Sequence, residues 1–172
     1  MSAIAITGLP GTGKTHLAIN LGAKLTENGN SVLLLHTDIL KVTLRQFLSG
    51  LSGPGYAGDF QAKAQLVRPF LEAQTAKAVR DGYILIIEGT LALGFVPSKG
   101  LHVFLELDEN QRKQREKQKH FSAKQTLQRT SLAAYRKALE FSVTNATLRL
   151  DAALPVRQLT EEIERYLIEP PN

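Results

Sequence analysis

Apolar residues follow two alternating patterns along this chain of 172 residues. Short continuous apolar runs, such as AIAI and VLLL, alternate with longer segments in which apolar residues recur every three or four positions. The runs are typical of strands that are buried on both faces, and the spaced segments are typical of amphipathic helices. The pattern predicts strands at residues 2–7, 31–36, 83–87, 101–107 and 147–150. It predicts helices at residues 14–28, 38–47, 60–80, 122–141 and 155–167.

Strands that alternate with helices predict an α/β protein whose parallel sheet is covered on both faces. In the long third helix, Leu66, Phe70 and Ala73 fall on one face, which we expect to be buried. The length suits a single domain spanning residues 1–172. No apolar run is long enough to span a membrane, and the N-terminal residues lack a signal-type pattern, so we expect a cytoplasmic protein without a membrane partner. The absence of cysteine excludes disulfides and thiolate chemistry.

The first predicted strand leads into GLPGTGKT at residues 8–15, here called the phosphate loop, and a predicted helix follows it. Its glycines let backbone N–H groups converge on an anion, and the positive end of the helix adds to the attraction. Lys14 neutralises terminal phosphate charge, and Thr15 supplies a hydroxyl oxygen to Mg²⁺. The motif therefore predicts binding of a nucleoside triphosphate with Mg²⁺. The predicted cofactor-binding residues are Gly8, Pro10, Gly11, Thr12, Gly13, Lys14, Thr15 and His16.

Two acidic residues lie where predicted strands end, which is the edge of a parallel sheet at which ligands gather. Glu88 ends the third strand, and we predict that it shares the Mg²⁺ site with Thr15. An exposed glutamate at a strand end is the alternative. Asp38 follows the second strand, where its carboxylate could orient an acceptor hydroxyl and take its proton. Capping of the helix that begins there is a competing interpretation.

Three basic residues are candidates for holding the acceptor. Lys41 and Arg45 lie three and seven positions after Asp38, roughly on one helical face with it, and Arg68 lies within the third predicted helix. An ordinary surface charge is the alternative for each. With Asp38, these residues form the predicted substrate-binding set.

The order of GLPGTGKT, HTD after the second strand and IIEG after the third resembles small phosphate-loop kinases related to nucleoside and nucleotide kinases. The IIEGT element is similar to uridine kinase and phosphoribulokinase. The spacing of Asp38, Lys41 and Leu44 resembles that of adenylylsulfate kinase, which has arginine at the position of Lys41. The resemblance implies a three-layer α/β/α P-loop NTPase fold with five parallel strands in the order 2-3-1-4-5. It also implies catalytic roles for Lys14 and Asp38.

The segment ENQRKQREKQKH at residues 109–120 has no apolar side chain, so a helix there would have no face to bury. Residues 109–140 hold nine Lys or Arg against three Glu, an excess greater than the net charge of +5. A solvated surface and a phosphate-binding surface both fit such a block. The resemblance implies a lid at about residues 109–122 whose Arg112 and Arg115 close over the phosphates as catalytic residues. It also places residues 151–155 beside the adenine, and the acceptor near residues 50–60.

These features together predict an ATP-dependent kinase that transfers the gamma-phosphoryl group to a hydroxyl or phosphate of a small molecule. Three alternatives stay open: a kinase acting on RNA, as in the enzymes that phosphorylate seryl-tRNA, a nucleotide-hydrolysing switch, and a nucleotide-binding module without transfer activity. The basic segment lacks the interleaved aromatic residues typical of RNA contacts, so a nucleic-acid partner is not expected. We expect a monomer or a homodimer.

Overall fold

A computed structural model of the protein describes residues 2–51, 60–118 and 135–169. Five parallel strands form one sheet in the order β2-β3-β1-β4-β5. The strands are β1 (Ala3–Gly8), β2 (Val32–His36), β3 (Ile84–Glu88), β4 (Gly100–Glu106) and β5 (Leu148–Asp151). Each begins within one residue of its predicted start, and the predicted fold class and strand order are confirmed.

Six α-helices connect or flank the strands in the described residues. They are α1 (Lys14–Glu27), α2 (Thr37–Leu44), α3 (Phe60–Asp81), α4 (Glu109–Lys117), α5 (Arg136–Asn145) and α6 (Val156–Ile168). Short 3₁₀ turns occur at Ser49–Leu51 and Thr90–Ala92. Three predicted segments lie partly outside the described residues. They are the lid, at residues 119–122, the acceptor loop at 50–60, for most of its length, and the fourth predicted helix, at residues 122–134. Across the described ranges, no helix has both the length and the hydrophobicity to cross a bilayer.

The sheet separates two apolar cores, as its central strand shows. Along β1, Ala3 and Ala5 face the core that contains α3, whereas Ile4 and Ile6 face the core that contains α1 and α6. Successive residues of a strand point to opposite faces, so a continuous apolar run is what a strand covered on both sides requires. This burial fixes the register of β1 and therefore the position at which the phosphate loop leaves the sheet.

The buried face of α3 differs from the predicted one. Leu66 and Phe70 are more than one third exposed, whereas Val67 and Leu71 are buried. Apolar residues occur at both pairs of positions, so helical spacing alone fits either face. The prediction that Leu66, Phe70 and Ala73 form the buried face is therefore wrong. The buried positions lie one residue later in the sequence, at Val67 and Leu71.

Candidate active site

The carboxyl ends of β1, β2 and β3 border a cavity of about 320 Å³, here called the phosphate cavity. Its described lining residues are Pro10, Gly11, Gly13, Lys14, Thr15, His16, Asp38, Glu88, Gly89 and Thr90. Residues from three distant parts of the sequence meet here because all strands of a parallel sheet end at the same edge. The phosphate loop, Asp38 and Glu88 are thus brought together as the strand-end argument predicts.

Two of the predicted cofactor-binding residues support the phosphate loop without being among the described lining residues. Gly8 is the last residue of β1. Thr12 is buried, and its hydroxyl donates a hydrogen bond to the Leu9 carbonyl oxygen over 2.9 Å. The Lys14 Nζ donates to the same carbonyl oxygen, also over 2.9 Å. The Lys14 side chain therefore extends back across the phosphate loop, close to where a bound phosphate would lie.

The side chain of Glu88 connects the phosphate loop to the neighbouring strand. The Thr15 hydroxyl donates a hydrogen bond to Glu88 Oε2 over 3.0 Å, and His36 Nδ1 is hydrogen-bonded to Glu88 Oε1. Because an ionised carboxylate only accepts hydrogen bonds, His36 Nδ1 carries the hydrogen in that contact. Glu88 is buried at 4% exposure, so two donors stabilise a charge that has lost most of its water.

His36 is a site residue that the sequence reasoning missed. It ends β2 and pairs in register with Glu88, which ends β3. In the sequence the two residues are far apart, and their proximity follows only when β2 and β3 are known to be neighbours. The strand order implied by the kinase resemblance could therefore have predicted that His36 lies beside Glu88.

The donors around Thr15 and Glu88 suit Mg²⁺. Hydroxyl and carboxylate oxygens are hard ligands, and Mg²⁺ is commonly held by one or two carboxylates together with water and substrate phosphates. No group of three or more His, Cys, Asp or Glu side chains able to hold a metal occurs within the described residues. A cation here would therefore take most of its ligands from the nucleotide and from water.

Asp38 lies in the first turn of α2 and lines the phosphate cavity. The helix begins at Thr37, and its N-cap position is His36, without a side-chain capping bond. The interpretation of Asp38 as the cap is therefore wrong, and its exposed carboxylate faces the cavity edge. Lys41 and Arg45 are not among the described lining residues of the phosphate cavity.

Arg68 lies at a second cavity of about 230 Å³, here called the side cavity, which is bordered by α3, α5 and the segment after β3. Its lining combines apolar side chains, including Phe60, Leu91 and Phe95, with Arg68 and Lys137, and it includes no described acidic residue. Thr90 lines the phosphate cavity and Leu91 lines the side cavity. One 3₁₀ turn therefore separates the two spaces.

Helix α4 buries two charged residues. Arg112 is 1% exposed and Glu116 is 0% exposed, so the expectation of a helix without a buried face is wrong. Burial lowers the pKa of Arg112 below its usual value, while the nearby Glu109, Glu116 and Tyr135 act in the opposite direction. This polar helix has a buried face because the surface that it covers is the phosphate loop and not an apolar core.

The two predicted lid arginines have different surroundings. Arg112 is buried against the phosphate loop, whereas Arg115 is half-exposed and its Nη2 donates to the Ala152 carbonyl oxygen over 3.2 Å. Neither residue is among the described lining residues of the phosphate cavity. Arg115 does contact the stretch at residues 151–155, which the resemblance places beside the adenine.

Comparison with solved structures places this fold among those of small kinases. It is similar to a shikimate kinase from Bacteroides thetaiotaomicron, with 17% identity, a TM-score of 0.65, and coverage of 98% of this chain and 99% of that chain. It is also similar to the APS kinase CysC of Mycobacterium tuberculosis in complex with AMPPNP and APS. That structure has 18% identity and a TM-score of 0.63, with 98% of each chain covered.

Searches with the sequence give a family but no individual relative. No curated protein sequence matches this chain significantly. A family model described as an AAA domain matches residues 4–130, which is more than half of the chain. The protein therefore belongs to the AAA domain family and has the fold of the small phosphate-loop kinases.

Proposed function

We propose that the protein transfers the gamma-phosphoryl group of ATP, bound with Mg²⁺, to a small molecule. The observation that carries this proposal is the meeting of Lys14, Thr15, Glu88 and Asp38 around one cavity. A nucleotide-binding module needs the first three residues, but it has no need of a carboxylate facing the terminal phosphate from a separate strand. The likeness to two small-molecule kinases supports the same class of reaction.

The residues have separate roles in the transfer. Lys14 and the backbone N–H groups of the phosphate loop bind and orient the terminal phosphates. Thr15 and Glu88 hold Mg²⁺, which neutralises charge on the phosphates when it is bound. The bond between the gamma-phosphorus and the bridging oxygen breaks as the acceptor oxygen bonds to that phosphorus, and ADP leaves with the electron pair. Asp38 orients an acceptor hydroxyl and takes its proton.

The side cavity is the best place for the body of the acceptor. It begins one residue beyond Thr90, which lines the phosphate cavity, so an acceptor there could extend its reacting oxygen towards the terminal phosphate. Its volume is about 230 Å³. Because Arg68 and Lys137 lie at its lining, an acceptor that carries a negative group should bind better than a neutral one.

In this proposal the adenine binds beside Arg115 and the segment that follows β5. The contact between Arg115 and Ala152 joins α4 to residues 151–155, and a guanidinium plane can stack on a purine ring. This location follows β5, and Ala152 belongs to the core that contains α1 and α6, whereas Phe60, Leu91 and Phe95 of the side cavity belong to the core that contains α3. Donor and acceptor would therefore approach the phosphates from opposite sides.

The test is transfer of labelled phosphate from ATP to a panel of nucleosides, nucleotides, sugars, sugar acids and adenylylsulfate. Lys14→Ala should reduce both ATP affinity and transfer by about a hundredfold or more, since a charge contact to the terminal phosphate is lost. Lys24→Ala is the matched control, because Lys24 lies on the same helix, is exposed and pairs only weakly with Glu27 at 3.8 Å. Full transfer by Lys14→Ala would refute the phosphate-loop assignment. ATP binding without transfer to any acceptor would favour the binding module.

A further inference from the structure

We propose that His102 is a positioning residue of the transfer reaction, and that it holds helix α5, which borders the side cavity, in a fixed place relative to the phosphate loop. The proposal rests on the proposed function in taking the side cavity as the acceptor site. His102 lies at the third position of β4 and is 0% exposed, so it is too deeply buried to contact ATP or the acceptor. Any influence on the reaction must therefore pass through the residues to which it is hydrogen-bonded.

The two ring nitrogens of His102 contact elements that lead to different cavities. Nε2 is 2.7 Å from the hydroxyl oxygen of Thr7, the residue that precedes the phosphate loop. Nδ1 is 3.2 Å from the carbonyl oxygen of Asn145, the last residue of α5. One imidazole ring therefore connects the end of β1 to the end of α5.

The contact with Asn145 determines which ring nitrogen carries the hydrogen. A carbonyl oxygen only accepts hydrogen bonds, so Nδ1 is the donor of the neutral ring and Nε2 is its acceptor. The Thr7 hydroxyl then donates to Nε2, and its contact with the Val103 carbonyl oxygen, at 3.4 Å, is the longer of the two. Burial lowers the pKa of His102, and the hydrogen bond to the Asn145 backbone opposes that shift. The ring is therefore neutral at neutral pH and keeps both bonds.

The backbone of His102 is bonded to the chain that leaves α5. The Thr147 N–H donates to the His102 carbonyl oxygen over 2.9 Å, and the His102 N–H donates to the Thr147 hydroxyl oxygen over 3.3 Å. With the ring contact to Asn145, three hydrogen bonds join this residue of β4 to residues 145–147. The end of α5 is therefore fixed to the sheet at His102.

A second contact holds the same helix against the side cavity. The Gly94 N–H donates to the Ser142 hydroxyl oxygen over 2.7 Å, and Gly94 lines that cavity. Helix α5 itself contributes Lys137, Ala138 and Phe141 to the lining. Because α5 forms part of the cavity wall, a shift of its anchored end would move a bound acceptor relative to the phosphate loop.

This placement matters for the reaction because the acceptor oxygen must lie roughly in line with the bond that breaks. A misplacement of about 1 Å can lower the rate by about a hundredfold. Loss of the Nδ1 donor should therefore lower kcat. The affinity for ATP should change little, because Lys14 and Thr15 of the phosphate loop are untouched.

The experiment compares His102→Gln with His102→Asn, both checked for folding by circular dichroism. The amide nitrogen of asparagine lies near the position of Nδ1 and can still donate to Asn145, whereas the amide of glutamine lies near the position of Nε2. With an acceptor identified in the panel, His102→Gln should lower kcat at least tenfold, while calorimetry finds its Kd for ATP within about twofold of the wild type. His102→Asn should retain at least about one third of the wild-type kcat. An unchanged kcat in His102→Gln, an equal loss in both variants, or an equal loss of ATP affinity would overturn the proposal.

Hydrogen exchange of residues 138–145 tests the anchor without an acceptor. Exchange should be at least about threefold faster in His102→Gln than in the wild type and in His102→Asn, because an opening of α5 breaks one bond fewer. The same rate in all three proteins would overturn the proposal. If the wild type transfers phosphate to no acceptor of the panel, the proposed function fails, whatever the exchange shows.

Thr7→Val carries the test if the His102 variants do not fold. It removes the hydroxyl that donates to Nε2 at nearly constant size, and it should lower kcat by about threefold to tenfold without weakening ATP binding. Thr160→Val is the matched control, because Thr160 is 6% exposed and its hydroxyl donates within α6, to the Val156 carbonyl oxygen over 2.9 Å. It should keep the full kcat. An equal kcat in the two threonine variants would overturn the proposal.

Discussion

Two buried glutamates flank the phosphate loop, and they differ in what satisfies them. Glu88 is 4% exposed, lies at the end of β3, and accepts hydrogen bonds from Thr15 and His36 while lining the phosphate cavity. Glu116 is 0% exposed, lies within α4, and packs behind Gly11 beside Arg112. The Glu88 carboxylate is hydrogen-bonded to Thr15 and His36 and faces the ligand space, whereas Glu116 lies behind the phosphate loop.

The difference shows how a polyphosphate site can tolerate acidic residues. A carboxylate near a bound triphosphate is repelled by it, so its charge must be compensated locally. Near Glu116 lies Arg112, whose positive charge is favoured by this carboxylate. At Glu88 the surroundings supply hydrogen bonds from Thr15 and His36, and the carboxylate also lines the phosphate cavity, where a divalent ion could reach it. Glu88 is therefore placed to contact a ligand in the phosphate cavity, whereas Glu116 packs against the phosphate loop at Gly11.

The largest expected effect is that of Glu88→Gln. It keeps the size of the side chain and an acceptor oxygen but removes the charge that would hold Mg²⁺, so kcat should fall by about a hundredfold, or about 2.7 kcal/mol. The free energy of unfolding should change by less than about 1 kcal/mol, because a desolvated charge is removed together with its interactions. Steady-state kinetics and urea denaturation check these two expectations.

For Glu116→Gln the expected pattern is the reverse, with a clear loss of stability and a nearly constant kcat. If the two glutamate variants changed kcat equally, the distinction between them would be wrong. An equal loss of stability in both would contradict it as well. The comparison therefore depends on measuring both quantities in both variants.

The position of Glu88 in the site can be predicted from the sequence, whereas the burial of Glu116 cannot, and the difference has a physical reason. Glu88 follows an apolar run, and the end of a strand in a parallel sheet is a place where ligands bind, so local pattern is sufficient. Glu116 lies in a run without apolar residues, where burial depends on which surface the helix meets. That surface is a glycine in the phosphate loop, about a hundred residues away in the sequence.

The same division applies to the rest of the molecule. Apolar runs predict the strands and the GLPGTGKT motif predicts the phosphate loop, because both are local features of the sequence. The strand order came from the kinase resemblance. The contact between His36 and Glu88 requires that order, and the buried face of α3 requires knowledge of its neighbours, since Leu66 and Val67 fit helical spacing equally well. Tertiary packing therefore decides which of the two helical faces is buried.

An intermediate effect is expected from a pair of glycine variants, Gly11→Ala and Gly13→Ala. Both glycines have positive φ, 90° and 88°, so the backbone strain introduced by alanine is nearly the same. Only at Gly11 would the new Cβ press on Arg112 and Glu116. Gly11→Ala should therefore be less stable than Gly13→Ala by about 1–3 kcal/mol, the typical cost of overpacking.

Thermal and urea unfolding of the two variants in the absence of nucleotide provide the measurement. Because neither contact requires ATP, the difference should be present in the free protein. Equal stability of the two variants would mean that α4 yields easily at Gly11. A larger loss at Gly13 would contradict the packing of α4 against Gly11 directly.

The smallest effect is expected from His36→Ala, which removes one of the two hydrogen bonds to Glu88. A hydrogen bond to a charged group contributes about 1.5–3 kcal/mol, but the remaining bond from Thr15 and water that enters the half-buried site should offset part of the loss. The Mg²⁺ concentration needed for half-maximal ATP binding should rise by about threefold to tenfold. His36→Asn, whose amide can still donate to the carboxylate, should show a smaller rise. Calorimetric titration of ATP at several Mg²⁺ concentrations measures both shifts without relying on turnover. The same Mg²⁺ dependence in the wild type and both variants would show that the hydrogen bond from Thr15 is sufficient to orient Glu88.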